Sequence, residues 1–144
     1  MSRETDIDVL ARTLWGEARG EGLAGMIAVG WTVRNRVELD LGNDGRPDWW
    51  GEGYEGVCRK PWQFSCWNVS DPNSAYLRGE KPIPPAQYMQ AREAAVAVIE
   101  GRRPDPTGGA THYYSTSLAK APAWTKGAIR TCKIGRHIFF KGVP

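Results

Sequence analysis

Residues 14–22 read LWGEARGEG and separate two apolar stretches that have helical spacing. Glu17 comes three residues after Leu14 and seven after Leu10, so a helix places its carboxyl on the apolar side. A carboxyl that is partly withdrawn from water has a raised pKa and can remain a proton donor near neutral pH. The position therefore makes Glu17 a candidate general acid.

Glu21 is the second candidate acid in this stretch. It would share the face of Glu17 only if the helix continued, and the flanking Gly20 and Gly22 favour an end to the helix before that point. An ordinary ion pair between Glu17 and Arg19 is the alternative interpretation, because most surface carboxylates have no catalytic role.

The helices on either side of this stretch are predicted to form the centre of the fold. Thr5 and Asp8 have the spacing of a capping box at the start of the first helix. The second helix, over residues 23–33, is apolar almost all round, which is typical of a central helix. Gly25 and Gly30 lower its helical propensity, so we expect them at close contacts with a neighbouring helix. The polar triplet at 34–36 fits a solvated helix end.

Residues 40–56 have the composition of a loop, with five glycines and one proline. Trp49, Trp50 and Tyr54 lie among acidic residues in this stretch. Aromatic side chains in a loop can stack on the C–H faces of sugar rings, or they can form a local cluster that covers the core. The sequence leaves both interpretations open.

The segment at 57–68 alternates polar and apolar residues, which predicts an extended segment with two different faces. Gln63 and Ser65 are polar, whereas Phe64 and Trp67 are apolar. Such a segment can line a groove with one face and anchor itself in the core with the other, or it can simply line the core.

The second half of the chain is predicted to contain one helix and two strands. The helix begins at Pro85 and ends near Gly101, since proline favours the first helical turn and glycine a helix end. Residues 110–115 are β-branched and aromatic, so they predict a short strand in which Tyr113 and Tyr114 point to opposite sides. Residues 134–141 predict a closing strand.

Length and composition fit one folded domain over residues 1–144. The net charge of +3 suits an anionic polymer such as a bacterial wall, whereas the scattered basic residues give little support for nucleic acid binding. No apolar leader or membrane span is visible, so we expect synthesis in the cytoplasm, no membrane insertion and a monomer. Three cysteines allow one disulfide or three thiols, and with His112 and His137 they match no zinc spacing, so we expect no metal or cofactor.

Four pieces of the sequence resemble the SleB-type cell-wall hydrolases, the spore-cortex-lytic enzymes and their relatives. The first is the apolar helix with E-A-R-G-E at 17–21, followed by a glycine-containing helix that ends in N-R-V at 35–37. The others are V-C at 57–58 with Q-F-S at 63–65, the paired tyrosines of 110–114, and I-G at 134–135 with residues 137–140. The resemblance spans nearly the whole chain.

The resemblance implies a lysozyme-like or lytic-transglycosylase-like single domain of mainly helical α+β class. It also implies cleavage of the peptidoglycan glycan strand after N-acetylmuramic acid, with Glu17 as the acid and without a cofactor. Within the family pattern, the expected substrate-binding residues are Asn35, Gln63, Ser65, Tyr113 and Tyr114. A phage endolysin that a holin releases to the wall would fit a chain without a leader.

Three other functions remain open at this level. A muramidase that hydrolyses the same bond needs a second carboxylate, for which Glu21, Glu52 and Glu55 are candidates. An amidase or endopeptidase needs a zinc site or an activated cysteine, and neither is evident in the sequence. A wall-binding module without catalysis needs no acid at all.

Overall fold

The structure is a computed structural model, and it describes residues 2–39, 53–60 and 64–143. Within these ranges, all the strands follow the last α-helix. The helices of the described residues are α1 (Arg3–Ala18), α2 (Gly22–Leu39), α3 (Gly53–Arg59), α4 (Ser74–Leu77) and α5 (Pro85–Ile99). The strands are β1 (His112–Ser115), β2 (Ile129–Ile134) and β3 (His137–Lys141). Single 3-10 turns lie at Arg19–Glu21, Ser65–Trp67 and Ala123–Thr125.

Helix α1 begins earlier than its sequence pattern predicted. The hydroxyl of Ser2 accepts a hydrogen bond from the backbone N–H of Thr5 at 3.1 Å and caps the helix. The predicted capping box of Thr5 and Asp8 is therefore wrong. The carboxylate of Asp8 instead pairs with Arg12 one turn later, at 3.0 Å.

The core is formed where α1, α2 and α5 pack together. Leu10, Leu14 and Val29 are completely buried there. A Cβ added to Gly30 would lie 2.9 Å from a methyl group of Val98 on α5, so only glycine allows this approach of two helices. The expectation for Gly30 is thus confirmed. Gly25 instead faces the side chain of Glu21 in the preceding turn, so the expected contact with a neighbouring helix is wrong there.

The segment after α2 departs most from prediction. Residues 53–59 form a helix, although the loop was predicted up to residue 56 and an extended segment from residue 57, and Val57 and Cys58 of this helix are fully buried. Residues 65–67 form a 3-10 turn, so the extended segment predicted for 57–68 is also wrong. Tyr54 is half-buried against the core, which favours the covering interpretation for that ring.

Four residues of the sequence predictions, Trp49, Trp50, Glu52 and Gln63, lie outside the described residues.

The strands form an antiparallel sheet with the order β1-β3-β2. Strands β1 and β3 confirm the two predicted strands, and the α5 prediction is confirmed from Pro85 to the left-handed Gly101 at φ 67°. Tyr113 pairs with Phe139 and Tyr114 pairs with Ile138. Phe139 packs with Ala28 of α2, so one face of the sheet is docked on the helices.

Candidate active site

Glu17 lies in the last turn of α1, as its place in the sequence predicted. A single 3-10 turn at Arg19–Glu21 follows, and α2 begins at Gly22, whose φ of 74° is favourable for glycine. The helix therefore ends between the two candidate acids. Because α1 and α2 are both core helices, their junction holds the carboxyl of Glu17 at a fixed place at the edge of the core.

The carboxyl of Glu17 is half-buried and receives a hydrogen bond from the sheet. The hydroxyl of Tyr113 donates to its Oε1 at 2.7 Å. Burial is the largest influence on the carboxyl and raises its pKa, while the hydrogen bonds from Tyr113 and from Cys66 oppose that effect only in part. The net pKa is raised, which favours the protonated form that a general acid requires.

Cys66 reaches this carboxyl because residue 16 is a glycine. A Cβ on Gly16 would lie 2.7 Å from the Cβ and 2.8 Å from the Sγ of Cys66. The thiol and the backbone N–H of Cys66 both contribute hydrogen bonding to Glu17. Burial raises the pKa of the Cys66 thiol far above its usual range, so the thiol stays protonated and acts as a donor rather than a nucleophile.

Arg36 is a buried cation beside this pair. Its side chain is 6% exposed, its Nε donates to the carbonyl of Thr111, and its guanidinium lies 5.2 Å from the ring centre of Phe64. Burial lowers its pKa to about 10, and an ionised Glu17 opposes this effect because it favours the cation. It is still charged at neutral pH, so the acid lies next to a fixed positive charge.

Two further carboxylates lie near the end of α1. Glu21 accepts from the backbone N–H of Arg136 at 2.8 Å and from its guanidinium at 2.8 to 2.9 Å. These bonds lower the pKa of Glu21, so it is ionised and attached to the β2–β3 turn. The charge of Asp71 acts on Glu17 and contributes to its raised pKa.

The other predicted site residues lie in different surroundings. The amide of Asn35 donates to Asp105 at 3.0 Å and to the carbonyl of Ala110 at 2.8 Å, so it anchors the turn before β1. Tyr114 points away from Glu17 and stacks on Phe140, with ring centres 5.7 Å apart. Ser65 begins a 3-10 turn. The structure thus brings Tyr113 to Glu17, and the substrate-binding roles of these residues stay predictions.

The model of the cell wall hydrolase family matches residues 20–140 of this chain. The chain belongs to that family. It is 32% identical over 137 residues to the spore cortex-lytic enzyme of Halalkalibacterium halodurans and 31% identical over 134 residues to that of Bacillus subtilis. These alignments cover 94% and 93% of this chain but 34% and 37% of the relatives, so the chain spans about a third of their length.

Two solved structures resemble this chain over 98% of its length. One is the catalytic domain of the germination-specific lytic transglycosylase SleB from Bacillus anthracis, with 29% identity, a TM-score of 0.67 and 97% of that chain covered. The other is the catalytic domain of the Bacillus cereus SleB protein, with 29% identity, a TM-score of 0.68 and 93% covered. The predicted mainly helical, lytic-transglycosylase-like fold is confirmed.

Sequence reasoning missed three of the groups around Glu17. Cys66 hydrogen-bonds its carboxyl, whereas Arg36 and Asp71 interact with it through their charges. The arginine had a visible signal, since a polar triplet ends an otherwise apolar helix. The cysteine had another, because Gly16 interrupts a good helix just before the acid and so marks a close contact.

His137 is a further buried polar group at this site. Its ring meets the ring of Tyr113 edge-on at 4.9 Å, and its Nδ1 has no hydrogen-bond partner among the described residues. Burial lowers its pKa, which favours the neutral ring. Across residues 2–39, 53–60 and 64–143, no three metal-binding side chains cluster and no helix has the length and apolarity that a membrane crossing requires.

Proposed function

We propose that this chain cleaves the glycan strand of peptidoglycan as a lytic transglycosylase, with Glu17 as general acid and then general base. The observation that carries the proposal is the half-buried Glu17 carboxyl with a raised pKa and a 2.7 Å hydrogen bond from Tyr113. The likeness to the SleB catalytic domain, which is described as a lytic transglycosylase, supports it. That residues 1–144 act as one catalytic domain stays a prediction.

In the first step, protonated Glu17 gives its proton to the glycosidic oxygen after N-acetylmuramic acid. The bond between that oxygen and the anomeric carbon breaks, and positive charge develops at the sugar. The proton leaves a carboxylate behind, which the hydroxyl of Tyr113 and the donors of Cys66 stabilise.

In the second step, the Glu17 carboxylate removes the proton from the C6 hydroxyl of the same sugar. The freed O6 forms a bond with the anomeric carbon, which gives a 1,6-anhydro end and returns the proton to Glu17. No water is consumed, and one carboxyl serves both steps. The nearby cation of Arg36 stabilises the ionised state that connects them.

Mass spectrometry of the fragments released from purified peptidoglycan tests this proposal. The wild type is expected to release ends that are lighter than reducing ends by one water, and Glu17→Gln is expected to release none. Glu93→Gln is the matched control, because it makes the same change at an exposed position on α5. Full activity of Glu17→Gln, or intact glycan with cut stem peptides, would contradict the proposal.

Hydrolysis by the same acid is the second candidate function, and the position of Asp71 favours it. A hydrolase uses a second carboxylate to activate water, and the charge of Asp71 acts on Glu17. Glu21 is a poorer candidate, since both of its oxygens are bonded to Arg136. Reducing ends that disappear in Asp71→Asn and persist in Glu21→Gln would establish this alternative in place of the transglycosylase.

The place of action stays a proposal as well. We propose that the chain acts on the bacterial cell wall, and that a holin delivers it in the manner of a phage endolysin. Expression in a bacterial host with and without a holin tests this: lysis that requires both the holin and Glu17 supports delivery from the cytoplasm, whereas lysis without the holin refutes it.

A further inference from the structure

Acidic and basic residues are distributed unequally along this chain. All 16 acidic residues lie at or before Asp105, whereas residues 106–144 contain no acid and six basic residues. Of the six, Arg136 is paired with Glu21. The others are exposed and form no ion pair with any described residue: Lys120, Lys126, Arg130, Lys133 and Lys141. The sheet and its loops therefore carry a concentrated positive charge.

Strand pairing places two of these cations beside aromatic rings. Residues that pair directly in an antiparallel sheet share one face, so each register row can be read across the three strands. The rows on the face turned away from α2 are His112–Phe140–Arg130 and Tyr114–Ile138–Lys133. Each row presents an aromatic ring on β1, an apolar side chain on β3 and a cation on β2.

Trp124 extends the aromatic part of this outer face. Its ring lies 5.1 Å from His112, 5.3 Å from Phe140 and 6.1 Å from Tyr114, measured between ring centres. Burial lowers the pKa of His112 to about 4, so its ring is neutral at physiological pH and belongs to the apolar part. Tyr114 and Trp124 are half-buried, and Arg130 and Lys133 are exposed.

We propose that this outer face binds a second, neighbouring strand of peptidoglycan while the first lies at Glu17. Sugar rings stack on Tyr114 and Trp124, and the carboxylates of the stem peptides pair with Arg130 and Lys133. The inference rests on the proposed function, because that function identifies peptidoglycan as the ligand. The arrangement of aromatic rings on one side and cations on the other matches a sugar strand with anionic branches.

Alternation in β1 connects the two surfaces. Tyr113 and Tyr114 are adjacent, and the first contacts Glu17 while the second lies on the outer face. A glycan strand on the outer face would thus lie one sheet thickness from the strand being cut. Binding there would keep the enzyme on an insoluble wall after each cleavage, as a tethered second site does.

Retention on insoluble peptidoglycan tests the inference in the Glu17→Gln background, where no cleavage removes the ligand. The double variant Arg130→Glu/Lys133→Glu is expected to bind about tenfold more weakly at low salt, from roughly 0.7 kcal/mol for each exposed charge pair. The matched control is Arg103→Glu/Lys81→Glu, which makes the same charge change at exposed positions off the sheet. The control should bind like its parent, and melting curves should show that both variants fold.

Two further arms identify the ligand. Amidation of the stem-peptide carboxylates should reduce retention of the Glu17→Gln parent to the level of Arg130→Glu/Lys133→Glu. Trp124→Ala should reduce the retention that remains at high salt. Equal retention of Arg130→Glu/Lys133→Glu and of the control variant would overturn the inference. It would also be overturned if Arg130→Glu/Lys133→Glu weakened binding to duplex DNA but not to peptidoglycan. Because retention needs no catalysis, wild type that releases no anhydro ends would refute the proposed function separately.

Discussion

Replacement of Tyr113 by phenylalanine should move the pH dependence of activity upward. The variant keeps the ring that packs on His137 and loses only the hydroxyl that donates to Oε1 of Glu17 at 2.7 Å. That hydrogen bond stabilises the carboxylate and so lowers the pKa of Glu17. Without it, the pKa, already raised by burial, rises further.

The size of this rise follows from the bond that is lost. A hydrogen bond to a charged group is worth about 1.5–3 kcal/mol, and one pKa unit corresponds to about 1.4 kcal/mol. The pKa of Glu17 should therefore rise by about one to two units. Glu17 must be protonated to start the reaction, so activity falls as the pH rises through its pKa, and this alkaline limb should move up by the same amount.

Initial rates of fragment release across the pH range measure the limb. Maximal activity should fall, because the hydroxyl also orients the carboxyl and stabilises it once it has lost its proton. Tyr114→Phe is the matched control, since it removes the neighbouring hydroxyl on the other face of β1 and should leave the limb in place. An alkaline limb in Tyr113→Phe that stays in place or moves to lower pH would refute the reasoning.

Three other variants probe the same junction. Glu17→Gln should raise the melting temperature above neutral pH but not near pH 4. The folded state raises the pKa of Glu17, so the wild type is fully stable below the unfolded pKa and loses stability as the pH rises through the folded pKa. The loss is about 1.4 kcal/mol for each pKa unit that separates the folded and unfolded states. A melting difference that is constant with pH would contradict this. Gly16→Ala should cost about 1–3 kcal/mol, because its Cβ meets Cys66, whereas Gly20→Ala, whose nearest contact is at 3.4 Å, should cost less in denaturant unfolding. Asn35→Ala should lower the free energy of unfolding by about 1–3 kcal/mol without raising KM on peptidoglycan; a raised KM at unchanged stability would instead support its predicted substrate contact.

Local patterns were sufficient to predict the position of the acid. The period of α1 and the glycines at 20 and 22 are short-range signals, and they correctly placed Glu17 at a helix end. Alternation in a strand is equally local, so it correctly predicted that Tyr113 and Tyr114 point in opposite directions. It did not predict which of the two rings faces Glu17.

Structure that depends on tertiary packing could not be predicted in this way. The glycine content of residues 40–56 indicated a loop, yet burial of Val57 and Cys58 against the core stabilises a helix that begins at Gly53. Strand β2 was missed because a bulge between Arg130 and Cys132 breaks its alternation. The N-cap was misplaced because Ser2 and Thr5 both have a hydroxyl that can cap a helix.

The charge pattern shows a similar limit. Counted along the chain, the basic residues appeared scattered, and the informative feature was instead the absence of acids after Asp105. Only the register of the strands shows that Arg130 and Lys133 share a face with aromatic rings.

The bond between Tyr113 and Glu17 joins residues that are 96 positions apart, one from the first helix and one from the sheet. The acid is therefore not a property of the EARGE segment alone. If the sheet separates from α2 while the helices remain, Glu17 loses the Tyr113 donor and part of the burial that raises its pKa. A partly opened chain then has every atom of the candidate site but not the arrangement that the proposed reaction requires.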